Sequence, residues 1–362
     1  MPLSAVDTIS PAFQHTKKQL IQPFRFGQWS RLALVGLLAG ELSSGGGCNT
    51  NFTIPQHTGG SQRLLGAGLS ASNPALYVTL IALLIVLGVV LMVLLLYANS
   101  VMRFVLFDSV IAKECHIRQY WNRRQGPGLR YFLWQLALMG VSLMGMTILV
   151  GIPAAIAWGA GWLHQPEHHL APLILGGILV FFVFMAFILV FAVIAVLAKD
   201  FVVPQMALEN ISAFEGWRRL WPMLTAQKGS YAGYIGMKIV LAIGVGLVVG
   251  IVTGIVVLVV LIPLGGFGAI AVIAGKAAGL TWNAYTITLI ILAGCFLVAL
   301  IFYLVAMISV PAIVFFPAYS IHFFASRFPA LDAILHPMPP SPPSPPPPPL
   351  SINPVPEPNP QI

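Results

Sequence analysis

The chain has 362 residues, of which 58% are hydrophobic and only 8% are charged. Soluble domains carry about 25% charged residues, so this composition excludes a water-soluble fold of this length and indicates a chain that is surrounded by lipid. The formal net charge is +8. The basic residues lie in short segments between apolar runs, which is typical of cytoplasmic loops and not of a nucleic-acid-binding surface.

Residues 1–28 predict an amphipathic helix that lies in the lipid headgroup layer. Ser10 is a good N-cap, and Pro11 suits the first helical position. Apolar residues then recur near helical spacing, with Lys17 and Lys18 on the other side. Such a helix can bury its apolar face at the membrane surface.

Six apolar segments follow within residues 29–333, and we expect each to be a membrane-spanning helix. The first, Leu32–Leu42, is short: about 14 residues from Trp29 reach roughly 21 Å, less than the roughly 30 Å hydrocarbon core. The other five are Ala75–Ala98, Tyr131–Leu163, Leu173–Ala198, Tyr231–Pro263, and Tyr285 to Pro311 or Pro317. The sequence therefore predicts an all-α integral membrane protein.

Two further segments have a distinct composition. Gly265–Gly279 is rich in Gly and Ala and carries Lys276, and it is too short for a separate pair of crossings, so we expect a re-entrant or interfacial segment. Residues 334–362 are rich in proline, which predicts an extended or disordered tail.

The basic residues indicate an orientation. With the amino end inside and six crossings, only Arg63 and Lys276 among the 18 Lys and Arg fall outside. This asymmetry predicts cytoplasmic N- and C-termini in a bacterial inner membrane.

The two long basic connections resemble each other. The first contains Phe104-Val-Leu-Phe and then Trp121-Asn-Arg-Arg, and the second contains Phe201-Val-Val-Pro and then Trp217-Arg-Arg-Leu. The offset is 97 residues at the phenylalanines and 96 at the tryptophans. This similarity predicts an internal repeat of an interfacial helix and a membrane hairpin; chance similarity of two basic amphipathic loops is the alternative.

The second connection predicts a surface helix. Ser212-Ala-Phe-Glu215 matches the capping box, so a helix should start at Ser212, and Pro222 should bend or end it. Aromatic rings with flanking arginines suit the headgroup region. We interpret this as a membrane-surface helix, with recognition of an anionic lipid headgroup as the alternative. The candidate lipid-interface residues of both connections are Trp217, Arg218, Arg219, Trp221, Trp121, Arg123 and Arg124.

Three parts of the second connection resemble a broad bacterial and archaeal membrane family with the signature F-x-x-P…E…W/A-x-R-S-W-x-L. They are Phe201-Val-Val-Pro204, Leu208-Glu209 and the run from Trp217 to Leu224. The family includes the membrane domain fused to some glycerophosphodiester phosphodiesterases, and uncharacterised multi-span relatives. The resemblance implies fold and topology and no molecular activity. The chain departs from the signature at Leu220, where a serine often follows the arginine, and we expect no phosphodiesterase domain.

Candidate chemistry is sparse. The sequence has no P-loop, no Gly-x-Ser-x-Gly and no His-Glu-x-x-His. The histidine-rich residues 164–169 are interrupted by Pro166, so we interpret them as a solvated loop and not as a metal site. Glu41 and Lys276 are candidate intramembrane polar residues, which could pair, line a vestibule or lie in water at the interface.

Gly246, Gly250 and Gly254 are spaced four residues apart in the fifth predicted span. This spacing lets another helix approach closely, within the chain or from a second subunit. We therefore predict a helix-packing face, and a homo-oligomer stays open.

These observations together predict a non-enzymatic membrane protein with a membrane-organising or accessory role. Membrane lipids are the expected partners, and no cofactor, metal or nucleic acid is expected. The alternative is a transporter or channel for a small or amphipathic solute, which the repeat, the short first span and the Gly-rich segment favour. A membrane-embedded enzyme would need a catalytic set that the sequence does not offer.

Overall fold

A computed structural model describes residues 4–22, 24–41, 74–162, 166–277, 279 and 284–337. Every regular element in these residues is helical. The helices are α1 (Ile9–Leu20), α2 (Phe26–Leu38), α3 (Pro74–Ala112), α4 (Ile117–Gly159), α5 (Leu170–Leu197), α6 (Val203–Glu209), α7 (Ala213–Ala226), α8 (Lys228–Ala277), α9 (Ala284–Ala325) and α10 (Pro329–Leu335). A 3₁₀ turn (Pro166–His168) precedes α5, and a π-helical turn (Ala198–Val202) joins α5 to α6.

Five stretches of helix are apolar and long enough to cross a membrane. They are Val78–Ala112, Ile117–Gly159, Leu170–Glu209, Lys228–Gly275 and Tyr285–Ala325. The last five of the predicted spans are therefore confirmed as long apolar helices, which makes the chain an α-helical membrane protein. At their basic ends, four of the five stretches continue well beyond the predicted apolar segments, and many of the added residues pack in the core.

The packed core lies at the basic ends of the long helices. Farther along, the apolar side chains of these helices are exposed, as in Leu83 of α3 and Val240 of α8, which suits contact with lipid. The core contains large buried rings from four helices and the π-helical turn: Phe104, Tyr131, Phe201, Tyr231, Tyr234, Tyr319, Phe323 and Phe324. The described chain thus has a lipid-facing layer and, next to it, a packed core.

The first predicted span is helix α2, and its 13 residues reach only about 20 Å. Gln28 Nε2 donates a hydrogen bond to the Lys113 carbonyl at 2.7 Å, and Asn99 Nδ2 donates one to the Leu38 carbonyl at 3.0 Å. These bonds place α2 beside the last third of α3, within the core. Six spans stay a prediction, since residues 42–73 lie outside the described residues.

Helix α1 packs against the core through polar side chains. His15 Nε2 donates to the Val110 carbonyl at 2.8 Å, and Gln19 Nε2 donates to the Ser109 carbonyl at 2.9 Å. These carbonyls belong to the last turn of α3, where no intrahelical partner is available. Helix α1 therefore binds the core on one face, while Phe13 is exposed on the other; its place in the headgroup layer stays a prediction.

The predicted start of a helix at Ser212, with Ser212 as the N-cap, is confirmed. Ser212 Oγ accepts a hydrogen bond from the Glu215 backbone N–H at 3.3 Å, and α7 begins at the next residue. Asn210, with φ of 54°, ends α6 in the left-handed conformation that asparagine tolerates at this position. Helix α7 continues through Pro222 to Ala226, so the proline does not end it.

The two remaining segments differ from their predictions. Helix α8 includes Pro263 and continues to Ala277, so most of Gly265–Gly279 is the end of a long helix and not a separate re-entrant segment. Helix α10 ends at Leu335, which overlaps the first residues of the predicted tail. The tail beyond residue 337 lies outside the described residues.

Candidate functional site

Five charged side chains meet where the lipid-facing layer joins the core. We term Glu41, Arg103, Lys199, Asp200 and Lys238 the charged centre. They come from the end of α2, from α3, from the π-helical turn and from α8. Turns of π-helix inside longer helices are frequent at functional sites, and here one turn contributes two adjacent charges of opposite sign.

Two ion pairs neutralise most of this charge. Lys199 Nζ donates to the Glu41 carboxylate at 2.5 Å, and Lys238 pairs with Asp200. Asp200 also accepts a hydrogen bond from the Tyr234 hydroxyl at 2.9 Å. Glu41 and Asp200 are each 4% exposed and Lys238 is 8% exposed, so each charge depends on its partner.

Arg103 is the third cation of the charged centre, and its hydrogen-bond partners are neutral. Its guanidinium donates to the Tyr131 hydroxyl at 2.7 Å, to Asn99 Oδ1 at 3.3 Å and to the Ala39 carbonyl at 3.5 Å. The Nε–H group is buried without a partner. Among the described residues, the charged centre therefore combines three cations with two carboxylates, a formal charge of +1.

A cavity of about 30 Å³ lies beside the charged centre. It has room for one or two water molecules, which excludes an amphipathic solute in this conformation. The lining consists of Glu41, Arg103, Leu106, Phe107, Lys199, Asp200, Val203, Pro204, Pro317, Ser320 and Ile321.

The position of Glu41 corrects its predicted location. The sequence placed Glu41 on the outward side of the membrane and Lys199 on the cytoplasmic side, yet the two side chains form an ion pair. The reason is that the end of α2 packs beside α3 at Asn99 and Arg103, where the Lys199 side chain reaches Glu41. The pair therefore joins Glu41 to Lys199, while the side chain of Lys276 lies outside the described residues.

Helix α7 provides a second candidate surface. Ala213, Gly216 and Leu220 are buried against the core. Phe214, Arg218 and Trp221 are four and three residues apart, so they share the opposite side of the helix, which we term the outer face. Phe214 is 77% exposed, Trp221 is 64% exposed, and the Arg218 side chain is 73% exposed.

The outer face lies near the boundary between lipid and core. The ring of Trp217 on α7 lies 6.2 Å from that of Trp134 on α4. The neighbouring Leu133 is 56% exposed and belongs to the lipid-facing part of α4. Tryptophan concentrates at membrane interfaces, so this ring pair fits the level of the lipid headgroups.

Arg124 lies inside the core, which corrects its assignment to the lipid interface. Its guanidinium donates to both carboxylate oxygens of Asp108, at 2.6 and 2.7 Å, and to the Ala207 carbonyl at 2.6 Å. It thereby ties the first connection to the second. Its neighbour Arg123 is exposed, and Trp121 is half-buried.

Arg219 is exposed but is held by two acids. Its guanidinium bonds with Glu215 and pairs with Glu209. The hydrogen bond that Arg219 donates to Glu215 and the charge of Glu209 raise the pKa of Arg219 above its ordinary value. Arg218 also donates to Glu215, but it has one acidic partner and not two, and its side chain is more exposed. Arg219 is therefore a weaker candidate for a lipid contact than Arg218.

The glycine-rich face of α8 has no neighbour at two of its three positions. A Cβ atom added at Gly250 or Gly254 would meet nothing within 4 Å. No described residue of the chain packs at these two positions. The prediction of a packing face thus stays a prediction.

The residues that sequence reasoning missed are charges at the edges of apolar segments. Arg103 and Asp200 directly precede the two phenylalanines of the repeated pattern, Phe104 and Phe201. That shared position was a usable signal. The contact between Arg124 and Asp108 gave no such signal. The number of residues between them in the sequence does not show whether the arginine is buried or exposed.

A family model described as a family of unknown function (DUF7544) matches residues 3–334. The chain belongs to this family. The match includes the charged centre and the outer face. No curated protein and no solved structure matches the chain. The resemblance to the membrane domain of glycerophosphodiester phosphodiesterases stays a prediction.

Proposed function

We propose that this chain is a non-enzymatic, membrane-organising or accessory protein that contacts lipid headgroups through the outer face of α7. The exposure of Phe214 and Trp221 beside Arg218, at the lipid boundary, carries this proposal. Exposing large aromatic rings to water is unfavourable. The headgroup region accommodates such rings, and anionic lipid headgroups attract a guanidinium.

The proposed topology follows from the same boundary. The basic ends of the long helices and the packed core lie on the cytoplasmic side of a bacterial inner membrane, with both termini there. This arrangement accords with the excess of Lys and Arg at these ends. It needs a sixth crossing of the chain before α3.

Fluorescence quenching by brominated phospholipids tests the contact. The chain would be reconstituted in vesicles whose lipids carry bromine near the headgroup. Replacing Trp221 with Phe should lower the quenched fraction of the tryptophan emission, because Trp221 contacts lipid directly. The matched control is Trp121→Phe, since Trp121 is half-buried against Tyr97. An equal effect of both variants would contradict the proposal.

Transport of a small solute is the second candidate, and the charged centre with its cavity favours it. Ionisable side chains at membrane depth often mark solute pathways. The cavity volume restricts this candidate to very small solutes. Solute release from vesicles containing the chain would support transport if it were lost in Glu41→Gln; vesicles as tight as protein-free controls would count against it.

A further inference from the structure

The unbalanced charge of the charged centre needs a counterion. A guanidinium stays protonated in proteins, and Arg103 is held by groups that carry no charge. Burying a charge without an opposite charge is costly. Lys199 and Lys238 do not compensate it, because both are cationic and each is already paired with a carboxylate.

The cavity beside Arg103 offers a place for that counterion. Arg103 and Lys199 both line it. Glu41 and Asp200 also line it, and one oxygen of Glu41 has no hydrogen-bond partner among the described residues, but the lysine that each carboxylate binds limits its repulsion of an anion. The volume of about 30 Å³ suits a small ion.

We propose that this cavity binds a small monovalent anion of the chloride class. The anion supplies the negative charge that Arg103 lacks and thereby stabilises the junction of α2, α3, α8 and the π-helical turn. This site is separate from the outer face of α7 and does not depend on lipid contact.

Thermal unfolding of the full chain in detergent tests the site. Chloride would replace gluconate at constant ionic strength, so that general screening stays the same. A ligand that binds only the folded state stabilises it in proportion to its occupancy, and a dissociation constant on the order of 10 mM would raise the folded-to-unfolded ratio about elevenfold at about 100 mM chloride. We expect a saturable rise of the unfolding temperature with chloride and bromide. Equal stability in gluconate would overturn the proposal.

A matched pair of variants locates the effect. Arg103→Gln should abolish the chloride dependence, together with the broadening of the chloride NMR signal by the protein. Arg123→Gln removes the same charge from an exposed position and should leave both unchanged. Loss of the dependence in both variants, or in neither, would overturn the assignment to Arg103.

A third variant keeps the test decisive if Arg103→Gln does not fold. Glu41→Gln raises the formal charge of the charged centre from +1 to +2, so chloride should reach half of its effect at a several-fold lower concentration. An unchanged or higher half-effect concentration would contradict the proposal, because an anion in this cavity must respond to the charge of Glu41.

Discussion

The two basic connections, residues 99–134 and 197–238, fill corresponding buried positions with different chemistry. At the sequence offset of 97, Asp108 corresponds to Gln205, and at the offset of 96, Arg124 corresponds to Leu220. The first connection therefore has a buried ion pair where the second has an amide and a leucine. Since Arg124, Gln205 and Leu220 are all less than one-tenth exposed, burial is common to both and charge is not.

The two connections also differ in how they leave the core. In the first, Trp121 and Arg124 lie on α4, which continues directly into the lipid-facing layer. In the second, Asn210 ends one helix and Ser212 starts another, so α7 is separate and exposes its outer face. The comparison teaches that similar tryptophan-arginine motifs can place an arginine inside the core or on an exposed face.

The largest expected effect follows from breaking the ion pair of the first connection. Asp108→Asn leaves the buried Arg124 guanidinium without a carboxylate, and removing one partner of a buried pair costs about 3–5 kcal/mol. Chemical unfolding in detergent measures this loss.

The double variant Asp108→Gln with Arg124→Leu copies the second connection. A neutral pair of similar size is often as stable as a buried ion pair, so most of the lost stability should return. If the double variant were as unstable as Asp108→Asn, the correspondence between the two connections would not hold for packing.

Glycine substitutions should have the next largest effect on stability. A Cβ at Gly128 of the first connection would lie 2.7 Å from Val101 Cγ2 and 3.2 Å from its Cα. At Gly216 of the second connection it would meet side-chain atoms, with Val202 Cγ1 at 2.8 Å and Ile211 Cδ1 at 3.9 Å. Overpacking costs about 1–3 kcal/mol. Gly128→Ala should lie in this range, because backbone must move, and Gly216→Ala should cost less. The reverse order in unfolding experiments would contradict this packing.

Hydrophobic runs, caps and turns made much of the fold predictable. The five long helices and the Ser212 cap follow from local sequence. The burial of His15 and Gln19 does not, because their partners are carbonyls at the end of α3, some 90 residues away. The ion pair of the charged centre was equally hidden, since it joins Glu41 to Lys199 across 158 residues, and only the final packing decides that contact.

A pH effect should arise where helix α1 packs against the first connection, through His15. Burial lowers the pKa of His15 below its ordinary value, and the nearby charges of Lys113 and Lys18 lower it further, although the hydrogen bond to Val110 opposes them. The His322 ring, 5.4 Å away, is the other titratable neighbour. Because the folded chain resists protonation at His15, stability should fall as the pH drops below about 6.5, the ordinary value for histidine.

Unfolding at several pH values checks this effect. His15→Gln should reduce the decrease in stability between about pH 7 and pH 5, whereas His116→Gln, at an exposed histidine of the first connection, should not. If His15→Gln kept the full dependence, another group would carry it.

The smallest expected effect is that of Arg219→Gln in the second connection, and the same substitution at Arg124 of the first connection is its comparison. Arg219→Gln removes an exposed cation whose acids, Glu209 and Glu215, remain solvated, and exposed ion pairs contribute little to stability. Its unfolding midpoint should therefore match that of the unsubstituted chain. Arg124→Gln, by contrast, leaves Asp108 in the core without its cation, so this variant should be strongly destabilised. Equal midpoints for the two variants would mean that burial does not separate the arginines of the two connections.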